Sequence, residues 1–132
     1  MEKWRRVWRE GLAPHLSQVG LLALQSALVN NDARLLQGVV SSPPPLDTLL
    51  ACMATGTCAI GYCGWQGEGR RSVGEVEDYF HRICDAADAA FHEAAACRFF
   101  LNWYDDAPRA EMRRELLAEV RLALRGRTAS AA

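Results

Sequence analysis

The sequence predicts an all-α fold: a compact single-domain bundle of about six to eight short and medium helices, with a central small-residue helix near 57–65. Three observations lead there. Apolar residues recur at helical spacing along most of the chain. Serine or aspartate stands before several of these runs, where a helix needs an N-cap. No strand-like alternation of useful length and no internal repeat interrupts the pattern. The expected domain covers 1–127, with a frayed tail at 128–132. A chain of 132 residues can bury one core without staples.

Trp4, Val7, Trp8 and Leu12 recur at i, i+3, i+4 and i+8 with basic residues between, and Gly11 and Pro14 end this first helix. Its expected role is to clamp two tryptophans onto the core. The same pattern also suits a membrane-surface helix or a nucleic-acid contact through tryptophan and arginine. Ser17 caps a second helix running to about Asn30, with Val19, Leu21, Leu22, Leu24, Leu28 and Val29 in a broad apolar stripe. Asp32 is expected to cap a short helix through Leu35, Leu36 and Val39. Ser41-Ser42-Pro43-Pro44-Pro45 excludes helix and favours an extended polyproline segment. Helix is expected to resume with Leu46, Leu49, Leu50 and Met53, with Asp47 in its first turn, until Thr55-Gly56-Thr57.

Residues 58–80 hold the least generic chemistry. Ala59, Gly61, Cys63 and Gly64 leave a helix short of bulk, and each glycine costs roughly 1 kcal/mol relative to alanine. Such residues make sense where neighbouring helices approach closely, with Ile60, Tyr62 and Trp65 as the large side chains. After the turn Gln66-Gly67-Glu68-Gly69, Ser72 and Glu75 fit a capping box, in which each side chain bonds the other's backbone N–H. The helix they start has Val76, Tyr79, Phe80, Ile83, Ala87 and Phe91 on its apolar face. Residues 93–104 read as a helix with Cys97, Phe99 or Phe100, Leu101 and Trp103 inward. Asp106 is expected to cap the last helix, with Pro108 in its first turn and Met112, Leu116, Leu117, Val120 and Leu124 inward.

The net charge is −1, which argues against a strong global attraction to nucleic acid or acidic lipid. The charge is uneven. Residues 1–12 carry Lys3, Arg5, Arg6 and Arg9 against Glu2 and Glu10; residues 107–127 hold six arginines against three glutamates; residues 68–106 are acidic. Basic ends therefore either fold back on the acidic middle or pair with another chain. The five cysteines form an odd set, no apolar signal-peptide core follows the first basic cluster, and no apolar run approaches a membrane span. The expected location is a reducing cytoplasm, with the cysteines as small core hydrophobes. Abundant alanine and arginine against a single lysine point to a bacterial, GC-rich source.

Few constellations suit chemistry. His81, Asp85, Asp88 and His92 fall at i, i+4, i+7 and i+11, one narrow stripe of metal-ligand types on one helix. The stripe lies opposite the apolar face, so its expected direction is solvent, and it spans roughly 16 Å, too far for one ion. Cys58, Cys63, His81 and Cys84 also make up a four-ligand zinc set in type, but their spacing is not that of a zinc knuckle. No cysteine sits in a nucleophile motif. The glycine turn at 66–69 lacks the phosphate-loop pattern, although Arg70 and Arg71 beside a helix start suit an anion. No cofactor is expected.

The leading expectation is a small cytoplasmic helical adaptor without catalytic activity, binding another protein or a second copy of itself. Its expected contacts are Trp4, Trp8, Trp65, Gln66, Arg70, Arg71, Trp103 and Tyr104, aromatic and basic types that interfaces favour. Two alternatives stand beside it: a metal-dependent or small-ligand enzyme on the His81–His92 face, and a weak nucleic-acid binder through the basic terminal helices.

Overall fold

Ser17, Cys58 and Ser72 each stand in extended backbone just before a helix. Each accepts a hydrogen bond from the N–H three residues on: Gly20 at 3.0 Å, Gly61 at 3.5 Å and Glu75 at 3.1 Å. These caps fix where three helices begin. Glu75 completes the capping box by accepting from the Ser72 N–H at 3.1 Å.

The computed structural model describes residues 1–45 and 50–131. The chain begins with α1 (Lys3–Arg6), which widens into a π-helical stretch, Val7–Leu12, and ends in a 3-10 turn, Ala13–His15. It continues through α2 (Gln18–Asn30), β1 (Ser41–Ser42), β2 (Gly56–Thr57) and α3 (Ala59–Tyr62). A π-helical extension, Cys63–Gly67, prolongs α3. The last helices are α4 (Val73–Phe91), α5 (Cys97–Asp106) and α6 (Arg109–Ala131). The two strands form a minimal antiparallel pair, Ser41 opposite Thr57 and Ser42 opposite Gly56. With 67% of the chain helical, the fold is all-α. No helix among the described residues is long and apolar enough to cross a membrane.

The small-residue helix is the centre. Residues 58–64 are buried throughout. A Cβ added at Gly64 would meet the Tyr79 ring at 2.6 Å, and one at Gly67 would meet the Gly20 Cα at 2.5 Å. The absent side chains let α4 press on one side of α3 and α2 on the other. Around this centre Trp8 stacks on Phe100 with ring centroids 5.3 Å apart, and Phe100 stacks on Tyr104 at 5.8 Å. Trp4, Val7, Trp8 and Leu12 are all buried, so the first helix does clamp the core. Phe100 is the inward member of its pair; Phe99 is exposed.

Four sequence expectations give way; the first is the helix start at 93, since residues 92–96 form a non-helical corner and α5 begins at Cys97. Residues 32–39 are not helical. The Asp32 carboxylate that was to cap a helix instead accepts from the Arg34 N–H and guanidinium and from the Tyr62 hydroxyl. Leu36 N–H then donates to Thr57 O at 2.7 Å, and Thr57 N–H donates to Arg34 O at 2.9 Å, which holds this segment extended. Leu46, Asp47 and Leu49 of the next expected helix lie outside the described residues, but Leu50 and Met53 lie in non-helical backbone. The carbonyls of Leu50 and Cys52 are used by the first free N–H groups of α4, those of Gly74 and Val73. Finally, Asp106 is the last residue of α5 rather than the cap of α6.

The charged ends do not fold onto the acidic middle as a whole. Arg5 and Arg9 converge on Glu119 of α6, and Arg5 also bonds Glu115. Glu119 is only 3% exposed. Burial pushes its carboxyl up, and the hydrogen bonds from Arg9 and Arg5 outweigh this and hold it below the ordinary carboxylate range. Among the described residues, Lys3 is the basic group of the ends that pairs with an acid of this stretch, Glu93.

Candidate functional site

Two surfaces stand out from the rest of the molecule. The first is a cleft of about 410 Å³ where α4, α5 and residues 38–40 meet. Its walls carry His81, Asp85, Asp88, Arg98 and Asp105, and its apolar part includes Phe80, Cys84, Cys97 and Cys58. The polar stripe of α4 therefore does not simply face bulk solvent; the 38–40 loop and the first turns of α5 stand over it. Asp105 accepts from the Gly38 N–H at 2.8 Å, and Gln37 donates to the carbonyls of Tyr104 and Ala107, which pins this loop to α5.

Asp88 is committed to the backbone. Its two oxygens accept from Ala95 N–H at 3.1 Å and Cys97 N–H at 2.9 Å, across a corner where His92 and Ala95 take positive φ. The carboxylate thus supplies the N-terminal partner that α5 otherwise lacks, since Ala96 has no side-chain acceptor to offer. His92 is the left-handed cap of α4 and does not line the cleft. His81 is exposed and lies 3.8 Å from Glu77, whose carboxylate accepts from Ser41. Of the predicted stripe, the fold brings His81, Asp85 and Asp88 to one cleft and leaves His92 out. Among the described residues, no three histidine, cysteine or acidic side chains are grouped to hold a metal ion.

The thiols divide into two kinds. Cys63 is sealed in the core and Cys58 is buried at the inner edge of the cleft; burial pushes Cys58 up to about 12 and Cys63 higher still. Cys84 and Cys97 both line the cleft, one from α4 and one from the start of α5. The Cys97 partner, with burial, pushes Cys84 up, and the Cys84 partner holds Cys97 below the ordinary thiol value. The sequence placed Cys84 with Cys58 and Cys63; its neighbour is Cys97.

The second surface lies on α2 and α6. Val19, Leu22 and Val29 are 54%, 45% and 48% exposed, so half of the expected apolar stripe is uncovered. A groove of about 330 Å³ runs beside it, lined by Leu28, Val29 and Leu117 with Arg113, Arg114 and Arg121. Arg113 donates to the Leu28 and Val29 carbonyls and so closes the C-terminal end of α2. Arg121 makes no ion pair among the described residues. The α2 sequence, Gln18–Asn30, contains no charged residue.

The expected aromatic contacts are mostly turned inward. Trp8 and Tyr104 have no exposed surface, and the Tyr104 hydroxyl donates to the Leu36 carbonyl. These two cannot touch a partner while the fold is intact. Trp4 is 5% exposed and lies flat on Trp103, with centroids 3.5 Å apart. Trp65 is half-buried under the Arg34 guanidinium, and no ring contact joins it to Trp103. Arg70 lies over the Tyr79 ring, while Gln66 and Arg71 are exposed. The helix start beside Arg70 and Arg71 already holds an anion, the Glu75 carboxylate of the capping box. Searches against family models, curated proteins and solved structures each return no match for this chain.

Proposed function

We propose that this is a small cytoplasmic protein without catalytic activity, which binds another protein on its α2–α6 face. The occupant is an amphipathic helix with acidic residues along its border. One observation carries the reading: an uncovered apolar row, Val19, Leu22 and Val29, runs beside a groove whose charged lining is all arginine. An apolar helix face covers such a row, and carboxylates along its edge meet Arg114 and Arg121. Within the fold Arg114 lies 3.6 Å from Glu115, a surface pair whose acid Arg5 also binds, while Glu119 is taken by Arg5 and Arg9 and Arg121 makes no ion pair among the described residues.

The enzyme reading on the His81–His92 face has less support, because Asp88 is engaged by backbone and His92 lies outside the cleft. Nucleic-acid binding through the N-terminal basic helix has less again, since Arg5 and Arg9 are neutralised by α6.

A photo-crosslinking residue at Leu22, in the native host, tests the proposal. The expected products join position 22 to an acidic amphipathic segment of a different protein. They disappear in the double variant Arg114→Glu/Arg121→Glu, whose sites are exposed and whose fold is checked by circular dichroism. Crosslinks to a second copy of this chain, to lipid, or equally in the double variant would overturn it.

A further inference from the structure

We infer that Cys84 and Cys97 form a reactive thiol pair that hydroperoxides convert to an intramolecular disulfide between α4 and α5. This stands apart from the α2–α6 proposal and shares no residue with it. Four observations carry it. The two cysteines come from different helices yet line one wall of the same cleft. Each is the leading cause of the other's displaced thiol pKa. Each is 6–7% exposed, open to a small oxidant entering the cleft but shielded from bulky thiols. The corner between them is fixed by the Asp88 carboxylate, which holds the Cys97 N–H at 2.9 Å and so sets the start of α5 against α4. Cys58 lines the cleft too, but burial keeps it protonated, and Cys52 lies half-exposed outside it.

The chemistry balances with a hydroperoxide, ROOH, as oxidant. The Cys97 sulfur attacks the outer oxygen and the O–O bond breaks. The alkoxide leaves and takes up the thiol proton, giving ROH and a Cys97 sulfenic acid. The Cys84 sulfur then attacks the Cys97 sulfur. The S–O bond breaks, and water leaves with the Cys84 proton as the S–S bond forms. Two thiols are oxidised and one hydroperoxide is reduced to alcohol and water. A small dithiol reverses the change by exchange.

The test uses the full chain and hydrogen peroxide, followed by alkylation in denaturant and peptide mapping. The expected product in wild type and in Cys52→Ser is one disulfide joining the peptides of Cys84 and Cys97. Cys84→Ser should stop at a Cys97 sulfenic acid, captured by a dione reagent. Cys97→Ser should lower the rate of thiol loss by roughly tenfold or more, to that of an ordinary buried thiol. The wild-type map needs no variant, so a misfolded mutant leaves the test intact. Oxidation confined to Cys52, with Cys84 and Cys97 both alkylated afterwards, would overturn the inference, as would equal rates in wild type and Cys97→Ser.

Discussion

Gly67→Ala probes the crossing on which the fold depends. Gly67 ends the π-helical extension of α3 and faces Gly20 of α2. The new Cβ would stand 2.5 Å from Gly20 Cα, 2.8 Å from Gly20 N and 2.9 Å from Val19 O. All three are backbone atoms, so no side chain can rotate away. Ordinary contact begins near 3.4 Å, so the two helices must part by most of an ångström. Overpacking of this kind costs about 1–3 kcal/mol, and backbone neighbours place it at the upper end. Alanine returns up to about 1 kcal/mol of helix propensity. The expected net loss is about 2 kcal/mol, or roughly 5–10 °C in melting temperature for a domain of this size. Gly126→Ala is the matched control. Nothing lies within 4 Å of a Cβ there, so the same substitution should be neutral or stabilise by up to about 1 kcal/mol. Urea titration and thermal melts followed by far-ultraviolet circular dichroism measure both. A Gly67→Ala protein as stable as wild type would refute the close crossing.

Two further outcomes follow from the caps and the buried charge. Ser72→Ala removes the acceptor for Glu75 N–H and should lower stability by about 1 kcal/mol in urea titration; an unchanged midpoint would mean the box is not formed. Glu119→Gln should cost about 2 kcal/mol at neutral pH, because it unpairs Arg9 and removes one of the three Arg5 ion pairs. Glu119 has a folded-state pKa below its unfolded value, so its contribution is present above the ordinary carboxylate range and lost as pH falls through the depressed value. The stability gap between wild type and Glu119→Gln should therefore be full at pH 7 and narrow below about pH 4. A gap that widens in acid would contradict the pairing.

What was legible in the sequence was local. The Ser72/Glu75 box, the Ser17 cap and the small-residue helix each depend on residues close in the chain, and each forms where the pattern places it. What was not legible depends on partners distant in sequence. Leu35, Leu36 and Val39 have helical spacing, but Asp32 finds Arg34 and Tyr62, and Thr57 takes the backbone of residues 34–36. The His81, Asp85 and Asp88 side of α4 lies opposite its apolar face, as the periodicity requires. That it borders a cleft follows from where the 38–40 loop and α5 stand, which no helical period encodes. On α2 the difficulty is of another kind. The helix is apolar almost all round, so its composition could not say which half α3 and α6 cover. Exposure of Val19, Leu22 and Val29 answers that and exposes the surface that the aromatic list missed.

One link between the two surfaces runs through α3; another is the 31–40 segment, which lines the cleft at residues 38–40 and is bonded by Arg109 of α6 at Asn31, Asp32 and Leu35. Cys58 caps α3 at one end and lines the thiol cleft. Gly67, at the end of the extension, presses directly on α2, whose outer side is the apolar row. Between them the helix is packed without slack: Gly61 lies against Thr57 and Val76, and Gly64 against Tyr79. A side chain can absorb a shift by changing rotamer, but glycine contacts on backbone and ring atoms cannot. Through α3, tying α4 to α5 at the cleft can therefore reach the α2–α6 face only as a rigid displacement of that helix. Arg113 resists such a displacement, because its bonds to the Leu28 and Val29 carbonyls hold α2 on α6 from the far side. The architecture thus favours two surfaces on one stiff core, with coupling through α3 limited to whatever movement the Gly20–Gly67 crossing transmits.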